Sequence, residues 1–391
     1  MRKITADLLL PVNGEPIPEG VVVVDETGKI LEISTRSEHD PASLDVHPGV
    51  LIPGFINTHC HLELSHMKGR VDTGTGLLPF LVSVVSFRDI AMDEILDAIE
   101  KADREMYENG IVAVGDISNK ADTALIKERS PLRYYTFVEM FDFMQDQNAQ
   151  KTFDSYYEVF EKQSGNGKNK KSCVPHAPYT VSPYLFELIR NTNPDDCTVS
   201  IHNQETVHED EFFLHKSGGF IGFMASFKVT LDHFEATEKT SIHYALEHMS
   251  RHNRTLFVHN TQTGPDDIRA AQAWNPNTFW ATCPNANLYI ENRMPFYKHF
   301  IDEKAKMTIG TDSLTSNWQL SVLEEMKTIA RYQSYVPFEE LLRWATINGA
   351  EALGFEEKLG SLEVGKTPGV NLLDLDASLT LRADTQVKRL V

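Results

Sequence analysis

Two histidines separated by a single residue, His59 and His61, close the apolar segment 51–61. Such a run predicts a buried strand, in which alternate residues point to the same face. Both imidazoles would then emerge side by side at the carboxyl end of the strand. Two neutral imidazoles aimed at one point suit a borderline-soft divalent metal such as zinc. The same spacing also arises by chance on exposed strands, so the pair alone does not establish a metal site.

Further residues that can bind a metal or move a proton stand at the ends of other predicted strands. They are His176 at the end of the fourth strand, His202 at the end of the fifth with Glu205 three residues later, His259 at the end of the sixth and Asp312 at the end of the eighth. A hydrogen-bonded structural histidine explains any one such position well. It does not explain a whole set at strand ends, so the pattern favours a functional cluster.

The strands that must position these residues alternate with amphipathic segments. We place them at 51–60, 111–118, 133–141, 172–177, 197–203, 255–260, 278–283 and 306–311. Helices are expected between them, for example at 92–109, 183–190, 293–301, 320–332 and 338–354. Eight strand–helix units in roughly 300 residues predict an α/β fold of the (β/α)8 TIM-barrel type, whose active site lies at the carboxyl ends of the strands.

Both ends of the chain differ from this central part, because they carry short alternating runs broken by glycine turns. We therefore expect residues 1–53 and 355–391 to pair into one small β-sandwich domain. Residues 54–354 would then form the metal-dependent barrel.

Composition narrows the class of protein. The chain has 391 residues, of which 41% are hydrophobic and 24% charged, as in ordinary globular proteins. Its net charge of −19 argues against a nucleic-acid or an anionic-membrane partner. The cysteines are scattered, and no apolar stretch approaches the ~18 residues of a membrane helix. We expect a cytoplasmic protein with a small-molecule substrate, and assembly into a homo-oligomer stays open.

The pattern resembles the amidohydrolase superfamily and, within it, the branch of nucleoside and heterocycle deaminases and chlorohydrolases. The matching stretches are PGFINTHCHLELS at 53–65, HAPYTVS at 176–182, HNQE at 202–205, VH at 258–259, CPNANL at 283–288 and GTDS at 310–313. They follow the family's order over nearly the whole chain, and the terminal β-domain fits too. The resemblance implies a hydrolase that acts on carbon–nitrogen bonds other than peptide bonds.

The resemblance also implies roles for single residues. The metal ligands fall on His59, His61, His202 and Asp312. Glu205 becomes the acid/base residue, Asp312 also accepts the proton of the attacking water, and His259 hydrogen-bonds that water or the developing oxyanion. His176 would contact the substrate.

One metal is expected. Zinc is favoured, and Fe(II) is the alternative because the same ligands serve both metals. Such an ion lowers the pKa of a bound water toward neutrality and so provides a nucleophile. The ends of strands three and four carry no lysine that could bridge two metals. Glu139 could support a second metal, but a polar residue lining the mouth of the site is the interpretation we favour.

The loop predicted at 62–88 should hold the substrate against the metal. Relatives that deaminate S-adenosylhomocysteine tend to carry a tryptophan and a glutamate here, whereas this chain has Phe80 and no glutamate after it. Its sequence looks closer to that of aminofutalosine deaminases. The candidate substrate contacts outside the metal cluster are His66, Arg70, Arg88 and Asn285, with surface or turn-capping roles as the alternatives.

We therefore predict an aminohydrolase of an adenine-nucleoside-like or other N-heterocyclic substrate. Hydrolysis of a cyclic amide or an amidine, and chlorohydrolase-type activity, are the alternatives on the same fold. A catalytically inactive barrel is the third alternative, and the complete ligand set together with Glu205 argues against it.

Overall fold

The computed structural model describes residues 1–376 and 378–391. Its strands are β1 (Arg2–Thr5), β2 (Leu8–Leu9), β3 (Ile17–Pro18), β4 (Gly20–Val24), β5 (Ile30–Thr35), β6 (Asp45–Val46), β7 (Val50–Pro53), β8 (Phe55–Cys60), β9 (Ile111–Ser118), β10 (Arg133–Met140), β11 (Lys170–Pro175), β12 (Thr198–Asn203), β13 (Arg254–His259), β14 (Thr278–Thr282), β15 (Lys306–Ile309), β16 (Val370–Leu373) and β17 (Val387–Arg389).

The α-helices are α1 (Leu77–Phe87), α2 (Met92–Glu108), α3 (Ala124–Arg129), α4 (Asp146–Lys162), α5 (Pro183–Thr192), α6 (Val207–His215), α7 (Gly219–Ser226), α8 (Ser241–His248), α9 (Pro265–Trp274), α10 (Pro284–Glu291), α11 (Tyr297–Asp302), α12 (Val322–Tyr332), α13 (Phe338–Ala345) and α14 (Ile347–Ala352). Within the described part of the chain, none of them combines the length and apolarity that crossing a bilayer requires.

Strands β8 to β15 form two four-stranded parallel sheets, in the orders β11-β10-β9-β8 and β12-β13-β14-β15. The sheets meet at both edges. On one side the amide of His202 donates to the carbonyl of His176 at 2.9 Å, and on the other the amides of Thr311 and Asp312 each donate to the carbonyl of His59 at 3.0 Å. Together with the intervening helices, these strands make the α/β barrel that the sequence predicts.

The remaining strands form a β-sandwich from both ends of the chain. One sheet has the order β5-β4-β1-β6 and the other the order β17-β16-β7-β2-β3. Strand β7 pairs antiparallel with β16, so that Val50 lies opposite Leu373. Between the sheets packs a separate apolar core that includes Ile4, Leu9, Val22, Val24, Leu51 and Val370. The domain limits at 53/54 and 354/355 stay predictions.

The apolar run at 51–60 is two strands rather than the single strand expected. It contributes β7 to the terminal sandwich and β8 to the barrel, with Gly54 between them. A Cβ atom on Gly54 would lie 2.3 Å from Cγ1 of Val112, so the chain crosses from one sheet to the other against β9 where no side chain fits. Both strands are buried on both faces, and this hides the division from a hydrophobic pattern.

Two further segments differ from the expectation. Residues 62–88 are not a plain loop, because a 3-10 turn at Leu62–Met67 and helix α1 lie within them. The helix expected at 338–354 is divided into α13 and α14 at Thr346, whose φ of −135° and ψ of −89° are not helical.

Candidate active site

The four residues predicted as metal ligands lie together at the carboxyl ends of β8, β12 and β15. The Nε2 atom of His61 is 3.2 Å from Nε2 of His59 and 3.3 Å from Nε2 of His202. The Oδ1 atom of Asp312 is 3.5 Å from Nε2 of His59 and 3.4 Å from Nε2 of His61. Donor atoms from three distant parts of the chain therefore converge on one point.

This spacing fits a divalent cation. Bonds of about 2.1 Å around a tetrahedral ion put neighbouring ligand atoms about 3.4 Å apart. Burial lowers the pKa of both His59 and His61 to about 4, so each ring is neutral and can offer a lone pair. Burial also lowers the pKa of His202. The neighbouring carboxylate of Glu139 has the larger, opposite effect and raises the pKa of His202 to about 9. A bound metal would displace that proton.

The histidines at the carboxyl ends of β12 and β13, His202 and His259, are each oriented through Nδ1. In His202 this atom donates to the carbonyl oxygen of His176 at 2.8 Å. In His259 it donates to Oδ1 of Asn287 at 2.9 Å. In both rings Nε2 is therefore the nitrogen that can contact a metal or a substrate. Burial lowers the pKa of His259 to about 4, so its Nε2 is a hydrogen-bond acceptor.

Two residues of the site have left-handed backbone conformations. His259 has φ of +73° and Asp312 has φ of +56°. Residues with a Cβ adopt this region at a cost, and they persist in it only where the surrounding fold fixes them. Ser316 donates to Oδ2 of Asp312 at 2.6 Å, which leaves Oδ1 for the cluster.

Glu205 follows β12 in a turn held by a second buried carboxylate. The amides of Gln204 and Glu205 donate to Glu209 at 2.9 and 3.2 Å. Burial raises the pKa of Glu205 to about 8, so its side chain carries a proton at neutral pH. Its Oε1 lies 3.7 Å from Nε2 of His259. A protonated carboxyl beside a neutral imidazole can donate a proton to one group while the imidazole accepts from another.

The turn after His61 is held by a buried ion pair that the sequence did not reveal. The amide of Leu62 donates to Oδ1 of Asp116 at 2.7 Å. The other oxygen of Asp116 lies 2.5 Å from Nζ of Lys127, and both side chains are almost completely buried. Asp116 therefore fixes the backbone directly behind the first two histidines.

A cavity lies over the cluster and holds about 990 Å³ of empty space, including its open mouth. Its floor carries His61, His202, Glu205, His259 and Asp312. Its walls are mostly apolar and come largely from α1 and from the region of α7, with Leu77, Phe80, Val84, Phe143, Phe223 and Phe227 among them. Such a polar floor beneath apolar walls suits a flat heterocycle with a reacting polar edge.

Two of the predicted substrate contacts line this cavity, namely His176 and Arg88. The guanidinium of Arg88 lies 3.2 Å from the carboxylate of Glu63, which also accepts from the amides of Asn119 and Lys120. Arg88 is therefore already paired with Glu63 inside the protein. This pairing argues against Arg88 as the partner of a substrate carboxylate.

The other candidates lie outside the cavity lining. His66 contacts the carbonyl of Arg88 through Nε2 at 2.8 Å. Asn285 donates its amide and its side chain to the buried Glu325, at 2.8 and 3.0 Å. Arg70 is exposed. The backbone amide and side chain of Asn285 are therefore engaged by Glu325, and its contact with a substrate stays a prediction.

The chain is similar in sequence to deaminases and in structure to a solved deaminase. The adenosine deaminase of Helicobacter pylori is 27% identical over 360 residues, covering 91% of this chain and 86% of that protein. The aminodeoxyfutalosine deaminase of a Nitratiruptor species is 29% identical over 355 residues, covering 88% and 82%. The crystal structure of Helicobacter pylori aminofutalosine deaminase with methylthio-coformycin superposes with a TM-score of 0.84 and 24% identity, covering 100% of both chains. At this identity the superposition shows the shared fold.

The family model of the amidohydrolase family matches residues 50–389. That range holds the barrel, the C-terminal strands of the sandwich and each residue of the cluster. The protein therefore belongs to the amidohydrolase family.

Proposed function

We propose that this protein is a metal-dependent aminohydrolase that replaces the exocyclic amino group of an adenine-nucleoside-like substrate by a carbonyl oxygen, with release of ammonia. The observation that carries this proposal is the position of Glu205 and His259, whose Oε1 and Nε2 lie 3.7 Å apart in the cavity beside the four-donor cluster. The activities named for the curated relatives, on adenosine and aminodeoxyfutalosine, support the substrate class.

The residues that would hold the metal are His59, His61, His202 and Asp312. Three imidazoles and one carboxylate are the donor set expected for zinc, and zinc is our assignment ahead of Fe(II). When bound, the metal lowers the pKa of a water so that it can attack carbon near neutral pH.

The remaining steps belong to side chains of the chain itself. Nε2 of His259 accepts a hydrogen bond from the attacking water and so orients it, because Nδ1 is already committed to Asn287. The proton on Glu205 goes to a ring nitrogen as the water oxygen bonds to the neighbouring carbon. Asp312 takes one proton from the water. Glu205, now a carboxylate, takes the second proton from the new hydroxyl and passes it to the amine, whose bond to carbon breaks as the carbonyl forms and ammonia leaves. The proton held by Asp312 then returns to Glu205, so that both side chains regain their starting states.

We also propose a cytoplasmic location. All four cysteines are buried free thiols. Unpaired thiols suit a reducing compartment, and this supports the assignment.

The test combines metal analysis with product analysis. Freshly purified protein should contain close to one equivalent of metal and release ammonia from adenine nucleosides. A panel of adenosine, 5′-deoxyadenosine, guanine, a cyclic amide and a chlorotriazine separates deamination from the alternative hydrolyses. Chloride or ring-opened product without ammonia would overturn the proposal, and so would protein that binds no metal.

A further inference from the structure

A buried carboxylate beside the cluster borders both the ring of His202 and the cavity. Glu139 ends β10, lines the cavity and is 3% exposed. Its Oε2 accepts from the side-chain amide of Asn119 at 3.1 Å. Its Oε1 is buried and lies 3.2 Å from Nδ1 of His202. A carboxylate oxygen carries two lone pairs, so Oε1 can also accept a hydrogen bond from a ligand in the cavity.

His176, on the neighbouring strand end, presents a second acceptor. The hydroxyl of Thr180 donates to the carbonyl of Ala177 at 3.1 Å, so its oxygen must accept from Nδ1 of His176, 2.7 Å away. The proton of the neutral ring is thereby fixed on Nδ1, and Nε2 is left with a lone pair.

These two acceptors are close together. A carboxylate oxygen of Glu139 and a ring nitrogen of His176 lie within 4.8 Å of each other and of a ring nitrogen of His202. Nδ1 of His202 is engaged by a carbonyl, and its Nε2 belongs to the four-donor cluster. Two protein ligands remain, too few for a second metal site built by the protein.

Two adjacent acceptors match a ligand with two adjacent donors. We propose that Glu139 is a specificity-determining residue that, together with His176, accepts hydrogen bonds from a vicinal pair of hydroxyl groups on the substrate, as on a ribose ring. This inference rests on the proposed function and extends it from the heterocycle to its sugar. Hydrogen bonds to a charged acceptor are stronger than those to a neutral one, so a substrate without the diol should have a lower kcat/KM.

The experiment compares adenosine with 2′,3′-dideoxyadenosine in the metal-loaded wild type and in Glu139→Gln. Wild type should favour adenosine in kcat/KM by about 10- to 100-fold. The variant, which keeps the shape but replaces an acceptor by a donor, should bring this ratio close to one. If Glu139 only orients His202, both substrates slow by the same factor and the ratio survives, which would overturn the inference.

Glu63→Gln is the matched control. Glu63 is also a buried carboxylate near the cavity, but Arg88 and two backbone amides occupy its oxygens. The adenosine preference of this variant should equal that of wild type. A loss of preference in both variants would mean that buried charge in general, rather than Glu139, sets the ratio, and the inference would fall.

A binding measurement separates this inference from the proposed function. Calorimetry with inosine and 2′,3′-dideoxyinosine needs no turnover, and inosine should bind wild type about tenfold or more tightly. Absence of ammonia release from every nucleoside defeats the proposed function. Equal affinity for the two inosines defeats the diol assignment. Two metals in wild type but one in Glu139→Gln would also defeat it, by assigning Glu139 to a metal.

Discussion

Glu205 and Glu209 show how two glutamates four residues apart acquire different tasks. Burial raises the pKa of both carboxyl groups to about 8. Glu209 accepts from two backbone amides and holds the turn, while Glu205 lines the cavity. A general acid works best with a pKa near the working pH. Position separates the two tasks, because Glu205 can reach a ligand in the cavity whereas Glu209 is engaged by the backbone.

Replacement of Glu205 by glutamine should keep the metal and remove most of the turnover. Glutamine has the same shape but cannot donate an acidic proton, and such groups supply 10²–10⁴-fold in rate. Ammonia release and metal content of Glu205→Gln check this. Glu211→Gln is the control, because Glu211 lies on α6, directly after the turn that contains Glu205, with its side chain 46% exposed. A Glu205→Gln rate within about tenfold of wild type would refute the assignment.

At the scale of elements, the site depends on how closely β8 and the segment after β15 approach each other. A Cβ atom on Gly310 would lie 2.7 Å from Cβ of His59 and 3.0 Å from Sγ of Cys283. The absence of a side chain at Gly310 therefore lets His59 and Asp312 reach the same cluster.

The substitution Gly310→Ala should push these strands apart and weaken metal binding. We expect a loss of about 1–3 kcal/mol in the free energy of unfolding, as for other overpacked cores. Competition with a chelator should show at least a tenfold weaker affinity for zinc. Gly222→Ala in α7 is the control, because nothing lies within 4 Å of the added Cβ. If zinc affinity were unchanged in Gly310→Ala, this contact would have no part in shaping the site.

The sequence predicts most of this element-scale arrangement. Each predicted ligand directly ends an apolar strand or follows it closely, a local signal that places His202 and Asp312 before any contact is known. Glu139 and Asn287 gain their importance only from partners on other strands, so a local pattern cannot rank them. The same holds for Gly54, whose role as a crossing point depends on Val112.

At the scale of the whole molecule, the cluster connects the two halves of the barrel. His59 lies in β8 of one four-stranded sheet and His61 directly follows it, whereas His202 lies in β12 of the other sheet and Asp312 follows β15. A metal bound by all four would therefore join both sheets. Binding to the folded state alone stabilises it by an amount that grows with the ratio of ligand concentration to Kd.

Removal of the metal should accordingly lower the melting temperature. A ligand at 100 times its Kd contributes about 2.7 kcal/mol, so we expect chelation to lower Tm by several degrees and zinc to restore it. Differential scanning calorimetry measures both changes. Asp312→Ala should respond to neither, since it lacks one ligand. A wild-type Tm that is insensitive to chelator and zinc would contradict a metal that spans the two sheets.

The pairing of β7 with β16 sets an order of events during synthesis. More than three hundred residues separate the two strands, so β7 leaves the ribosome long before its partner exists. Until then one edge of β7 stays unpaired beside a growing barrel, and an unpaired edge is a template for strands of other chains. A nascent chain stalled before residue 370 would present that edge to its neighbours. Shortening the chain at its carboxyl end should therefore reduce the yield of folded protein before it changes the catalytic rate of the molecules that do fold.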